Sequence, residues 1–238
     1  MIYVTGDTHG ETGRFTYLDS NIEKTLTQTD KLIICGDFGY VWSGSDEEEK
    51  FLDYMAKKPY QILFIDGNHE NFSLLNGSYP VQQYCGGNVH IIRKGENNQP
   101  KIIHLMRGQI FEIENKKIFT MGGAYSIDKH LRIPQISWWK EELPTDNEMK
   151  EAISNLNLHG NKIDYIFTHT APIDTTKIMG YDQNEEYPLN NFLEWIREST
   201  TYTHWWFGHF HMDKRNICKE QTAIWLDVRE TETNNIVE

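Results

Sequence analysis

The chain has 238 residues, 38% of them hydrophobic, and a formal net charge of −12 with histidines neutral. That length allows one large core or two small ones, and the composition is that of a globular chain rather than a disordered or fibrous one. The negative charge works against non-specific binding to phosphate backbones, so long nucleic acid is not an expected partner. A small phosphorylated molecule stays open as a ligand, because bound cations invert charge locally.

The three cysteines, Cys35, Cys85 and Cys218, are scattered and odd in number. They suit neither a disulfide framework nor a paired-cysteine zinc site. Cys35 sits in the apolar run LIIC and is expected in the core. No stretch is apolar for the ~20 residues of a membrane helix. No basic segment followed by an apolar one marks a leader. No membrane association and a reducing, cytoplasmic location are therefore expected.

In chain order, MIYVT at 1–5 is the first expected strand, ending at Gly6. Residues 11–29 carry spaced apolar residues and predict a helix. KLIICG at 31–36 is a buried strand. Ser45 followed by acids predicts a helix start, with the EEE at 47–49 on its solvated face. QILFID at 61–66 is the next buried strand, and Glu70 is expected to open the helix after it. Apolar runs alternating with helices indicate βαβ units and a largely parallel sheet. Four short runs between 88 and 123 (NVHIIR, KIIHLM, QIFEI, KIFTMGG) are separated by hairpin-like connections and predict a β-meander. Thr145 with Glu148 three residues on predicts a capped helix ending at Gly160. KIDYIFTH returns to strand, PLNNFLEWIRES predicts a helix, and THWWFGHFH and TAIWLD are the last strand-like runs. No repeat or linker interrupts the chain, so one domain over residues 1–238 is expected. Its class is α/β, with two packed sheets and helices outside.

The ends of these strands share one chemistry. VTGDTHG supplies Asp7 and His9, ICGDFG supplies Asp37, and IDGNHE supplies Asn68 and His69. IFTHTAP supplies His169, and WFGHFH supplies His209 and His211. Each alone is ordinarily a turn or a structural histidine. Together, five histidines, two aspartates and an asparagine follow apolar strands, where open α/β sheets place their ligand sites. In an extended segment residues two apart point to one side, so Asp7 with His9, and His209 with His211, can each face one ion. Imidazole, carboxylate and amide oxygen suit first-row divalent metals.

The ordered set D-x-H, G-D, G-N-H-E, a strand-end His and G-H-x-H, spanning residues 6–211, resembles the calcineurin-like metallophosphoesterase superfamily. The resemblance implies a four-layer β-sandwich of mainly mixed sheets flanked by helices, around a two-metal centre. By it Asp7, His9 and His211 would hold one metal, Asn68, His169 and His209 the second, and Asp37 would bridge them. Manganese is the expected metal, with iron, zinc, nickel and cobalt as alternatives. A metal-bridging hydroxide would attack phosphorus. His69 would be catalytic, binding the phosphate or protonating the leaving oxygen. Near two cations an imidazolium is disfavoured, so His69 is expected to need a carboxylate partner.

The chain departs from the protein Ser/Thr phosphatases of that superfamily. Tyr40 stands where their His-partner Asp would be, and Asp66 stands where an Arg would precede Gly67. A phosphoprotein substrate is therefore not expected, and the partner of His69 is left open. The GDFG form and the segment 122–144 resemble a bacterial and phage-associated branch. Asp128 and Arg132 in that segment, and Tyr40 with Trp42 after Asp37, are candidate substrate contacts. Trp138 and Trp139 either stack on a base or pack the next helix, the second being the commoner use of large aromatics.

The expected function is hydrolysis of a small phosphate ester, such as a nucleotide or short oligonucleotide, with phosphodiesters favoured. Monoesterase or nuclease activity at the same site, and a non-catalytic metal-binding scaffold, are the alternatives. A metallo-β-lactamase-like reading of HFHMD fails because Lys214 stands where that signature needs histidine.

Overall fold

A computed structural model of the chain describes residues 1–15, 26–181 and 183–237. Residues 12–15 are helical, and the remainder of the helix expected at 11–29 falls mainly on 16–25, outside the described residues.

The strands are β1 (Ile2–Thr5), β2 (Lys31–Ile34), β3 (Gln61–Phe64), β4 (Val81–Tyr84), β5 (Gly87–Lys94), β6 (Pro100–Leu105), β7 (Ile110–Ile113), β8 (Lys116–Met121), β9 (Tyr165–Thr168), β10 (His204–Phe207), β11 (Gln221–Ala223) and β12 (Arg229–Glu230). They form a seven-stranded sheet in the order β12-β1-β2-β3-β6-β5-β4 and a five-stranded sheet in the order β11-β10-β9-β8-β7. Both sheets are mixed. β1, β2, β3 and β6 run parallel, as do β8 to β11, with antiparallel strands at the edges.

Alternate residues of the central strands enter different cores. Tyr3, Leu32, Ile34, Ile62 and Phe64 face helix α1 (Asp46–Met55) and helix α2 (Phe72–Ser78). Ile2, Val4, Ile33, Cys35, Leu63 and Ile65 face the second sheet and meet Phe111, Ile118, Phe167 and Trp206. The far side of the second sheet packs Phe119, Ile166, Trp205 and Phe207 against helices α3 (Asp146–Leu158) and α5 (Tyr187–Ser199). Three apolar seams thus join four layers, helices–sheet–sheet–helices. Burial on both faces is why these strands read as unbroken apolar runs rather than alternations.

Several local expectations change. The four strands of the expected meander form, but β5 and β6 pair in one sheet while β7 and β8 pair in the other. The chain crosses between sheets at Met106–Gln109. Strand β4 lies at an edge with Val81 exposed, which is why its pattern is weak. The segment after His169, for which no element was expected, holds helix α4 (Ile173–Met179), closed by Gly180 in the left-handed region. Thr145 and Glu148 make the expected reciprocal cap of α3. Ser45 caps α1 through the Glu48 amide, but Glu48 does not merely face solvent. Its carboxylate accepts from the Trp42, Ser43 and Gly44 amides at 2.8, 2.7 and 3.1 Å, closing the loop before the helix. Glu70 does not open α2, whose cap is Asn71. It is buried, and accepts from the Phe38 and Gly39 amides at 2.7 and 3.4 Å. Among the described residues no helix is long and apolar enough to cross a membrane.

Candidate metal centre

The carboxyl ends of β1, β2 and β3 in one sheet and of β9 and β10 in the other open onto the same place. Their loops are clipped together by backbone bonds. The Thr8 and His9 amides donate to the Asp37 carbonyl at 3.1 and 2.7 Å, and the Gly10 amide donates to the Phe38 carbonyl at 3.0 Å. The His69 amide donates to Asp37 Oδ1 at 2.7 Å. The His209 amide donates to both carboxylate oxygens of Asp7, at 3.0 Å each. Four of these strand ends, those of β1, β2, β3 and β10, are thereby tied together, chiefly through Asp7 and Asp37.

The ligand types expected from sequence converge there. The ligating atoms of Asp7, His9 and His211 lie within 4.8 Å of one another, as do those of Asp7, Asp37 and His169. His9 Nε2 is 3.0 Å from His211 Nε2, and His211 Nε2 is 3.2 Å from Asp7 Oδ2. Asp37 spans the two groups: Oδ2 lies 3.6 Å from His9 Nε2, and Oδ1 lies 3.4 Å from His169 Nε2. Asn68 Oδ1 is 3.0 Å from His169 Nε2. The Asn68 amide nitrogen donates to Ser126 Oγ at 3.1 Å, which turns its oxygen toward the cluster. His169 Nδ1 is 2.8 Å from the Cys35 carbonyl, so its N–H is committed there and Nε2 is left for a ligand. His209 sits edge-on to His169, with ring centroids 5.1 Å apart.

The paired residues do not reach the site by strand pleating. His9, Asp37, His209 and His211 all hold left-handed backbone, with φ of 48°, 48°, 66° and 47°. Such a conformation costs a non-glycine residue of order 1–3 kcal/mol and concentrates at functional sites. Two glycines are required for a different reason, close approach. A Cβ on Gly67 would fall 2.0 Å from Asp37 Oδ1, and one on Gly208 would fall 2.2 Å from Asp7 Oδ1.

The electrostatics suit cations. Burial opposes ionisation of Asp37, but His169, His69 and His9 together hold its carboxyl well below the ordinary carboxylate range. Burial likewise disfavours a charged His169, yet the Asp37 carboxylate raises it well above an ordinary histidine. The potential that favours a proton on His169 favours any cation placed between these groups. The mixed imidazole, carboxylate and amide donors fit first-row divalent metals. Asp37, with one oxygen toward each donor group, fits a shared ligand.

His69 stands beside the cluster, its ring 5.2 Å from that of His9. Burial, aided by nearby Arg132 and His9 and opposed by Asp37, brings its pKa down to about 4. The neighbour of its ring is Arg132, whose Nη2 lies 2.9 Å from Nδ1 and 3.2 Å from Nε2. Arg132 is itself held by Asp128, at 2.7 Å from Nε and 2.8 Å from Nη2. The sequence pointed to Arg132 and Asp128 as substrate contacts and did not connect them to His69. The carboxylate of Asp128 thus reaches His69 only through an arginine.

Tyr40 lies away from this cleft. It is buried, packs on Phe15, Phe38 and Phe51, and donates its hydroxyl to the Glu11 carbonyl at 2.6 Å. Trp139 is buried beside Trp42 and donates its indole N–H to Ser73 Oγ at 2.8 Å, so it packs α2 rather than facing a base. The arginine absent from position 66 is not regained. Asp66 is buried and binds Arg107 at 2.8 Å from Nε.

One neighbour of the site carried no sequence signal. Glu186, buried just before α5, accepts from the Tyr125 amide, Thr170 Oγ1 and Asn190 Nδ2 at 2.9, 2.9 and 3.0 Å. Its Oε1 lies 3.7 Å from His209 Nε2. No motif flanks it, and only the fold brings it to His209. With His69, His209 and His211 it borders a cavity of about 520 Å³ that opens over the cluster.

No curated relative matches the chain. Among solved structures, a candidate 5′-nucleotidase from Staphylococcus aureus, in complex with alpha-ketoglutarate, is similar with a TM-score of 0.48 at 13% identity. The similarity covers 100% of this chain and 52% of that one, so the chain spans about half the length of that protein. The sequence pattern of the calcineurin-like phosphoesterases, by contrast, matches residues 1–213, and the chain belongs to that family of metal-dependent phosphoester hydrolases.

Proposed function

We propose that this single-domain chain is a two-metal phosphoesterase acting on small phosphate esters, with diesters preferred to monoesters. The observation that carries the two-metal reading is Asp37, whose two carboxylate oxygens face histidines of separate donor groups. Asp7, His9 and His211 would hold one cation, Asn68, His169 and His209 the other, and Asp37 both. Manganese leads among the candidate metals, before iron, zinc, nickel and cobalt. When bound, the pair supplies Lewis acidity toward phosphoryl oxygens and lowers the pKa of a coordinated water.

The chain's own groups orient and select. The His69 amide fixes Asp37, and the neutral His69 ring keeps one N–H to donate to a phosphoryl or leaving oxygen. Arg132 lies beside the ring nitrogens and is fixed in turn by Asp128. Among the described residues that border the cavity there is no lysine or arginine. A singly charged diester therefore needs less compensation there than a doubly charged monoester.

The test is turnover of an aryl phosphate diester against the matching monoester, metal by metal, at constant ionic strength. The expected result is a higher kcat/KM for the diester. A monoester hydrolysed as well would reverse the preference. Failure to hydrolyse either with stoichiometric metal bound would favour a scaffold.

A further inference from the structure

The cavity of about 520 Å³ is much larger than a phosphate group. Its floor is the ligand cluster, and its outer half has a different character. An aromatic path leads outward from the cluster. Phe210 packs edge-on to His209 with centroids 5.0 Å apart, and Tyr181 lies 4.8 Å from Phe210. Tyr125 and Ile127 form part of the same lining. Tyr181 is 39% exposed and Ile127 66% exposed, so this wall leaves apolar surface open beside the site.

Among the described residues the lining offers no free cation: Asp128 is paired with Arg132, and the buried Glu186 is held by three donors beside His209. Asp128 and Glu186 border the cavity, and no lysine or arginine does so among the described residues. Arg132, the nearest guanidinium, is turned to Asp128 and His69. A phosphoryl group on the floor can be neutralised by cations there. A second anionic group would lie near Glu186 and find no lysine or arginine among the lining residues to pair with.

Resting on the phosphoesterase reading above, we propose that this outer half selects the esterified group of the substrate. The preferred group is planar, apolar and uncharged, and is held against Tyr181 and Phe210. Substrates with a second anionic group near the first are rejected. Oligonucleotides, nucleoside polyphosphates and acidic phosphopeptides fall in that rejected class. Diesters of one phosphate with an aromatic or heteroaromatic outer group fall in the favoured one.

The test uses three methyl phosphodiesters whose second ester group is benzyl, cyclohexylmethyl or para-sulfobenzyl. These alcohols leave with similar intrinsic ease, so rates report recognition. With the metal-loaded protein, the benzyl ester is expected to exceed the cyclohexylmethyl ester about tenfold in kcat/KM, from contact with an aromatic wall. The para-sulfobenzyl ester is expected to fall about tenfold below the benzyl ester, from like charge in a cleft of reduced dielectric. Tyr181→Ala should bring the benzyl to cyclohexylmethyl ratio toward one, and Tyr181→Phe should restore it. Equal turnover of the benzyl and para-sulfobenzyl esters overturns the charge selection. A ratio unmoved by Tyr181→Ala and by Phe210→Leu overturns the aromatic wall. Turnover of none of the three by metal-loaded protein that still hydrolyses an aryl phosphate overturns this selection alone, and turnover of neither these nor the aryl phosphates removes the phosphoesterase reading with it.

Discussion

Asp37 and His69 lie in contact yet are cast in different parts, and substitution separates them. Asp37 shares its carboxylate between two donor groups and takes the His69 amide as well. Asp37→Ala is expected to lose bound metal and activity together, measured by metal analysis of the purified protein. The His69 ring has its polar contact with Arg132 and meets the cluster only edge-on at His9, so His69→Ala should keep both ions while turnover drops on the order of 100-fold or more. Loss of an ion from His69→Ala would move that residue into the ligand set. Glu186 offers a second residue-level test. Its carboxylate is held by three donors and lies 3.7 Å from His209 Nε2. Such outer partners typically contribute 10–100-fold to metal affinity. Glu186→Gln is expected to weaken the affinity of one ion by about that factor in calorimetric titration, leaving the other unchanged. The clustered donor residues were legible in the sequence because their types are unusual after apolar strands and recur in order. Glu186 was not, because a lone glutamate before a helix looks like any helix start.

At the scale of elements, strand ends rather than strands make the site. The sequence shows where each apolar run stops and which polar residue follows. It does not show the backbone there. Four site residues occupy left-handed conformations, so two-residue spacing brings the pairs together through tight turns, not through pleating. Close packing of the turns explains the glycine requirement better than flexibility does. A methyl on Gly208 would meet Asp7 Oδ1 and also the Cys35 carbonyl at 2.5 Å. Gly208→Ala should therefore push the β10 end off the first sheet and weaken metal binding at Asp7. Unchanged metal affinity in a folded Gly208→Ala protein would show that the loop yields without moving Asp7. The split of the meander was not legible either. Hairpin and sheet-crossing connections are equally short, and the apolar pattern of β6 and β7 is the same whichever strand each one pairs with.

Across the whole molecule, three apolar seams hold the layers, and two of them are bordered by buried histidines that respond to pH: His90, beside His104 and Phe64, and His204, against Trp206. Burial lowers His90 to about 4, with His104 adding to the effect, and lowers His204 to about 4, with Arg215 adding to it. Both values lie below the 6.5 of an ordinary histidine, so between about pH 6.5 and pH 4 the unfolded chain binds more protons than the folded one. The contribution of these residues to stability is complete above pH 6.5 and is lost as pH falls toward 4. The urea midpoint is expected to decline over that interval, and less steeply in His204→Gln, which removes one of the titrating rings. A decline equally steep in His204→Gln would assign the acid sensitivity elsewhere.

Sequence alone determined the donor types, their order and the α/β alternation. Local side-chain chemistry and burial on both strand faces leave their mark residue by residue. Tertiary structure decided what depends on distance between remote segments. It set which sheet each hairpin joins, that Arg132 and not a carboxylate meets His69, and that Glu186 stands behind His209. It also showed that the cavity over the cluster has an aromatic wall and acids but no bordering lysine or arginine. No local pattern encodes those relations, because each arises only when strand ends from two sheets are brought to one edge.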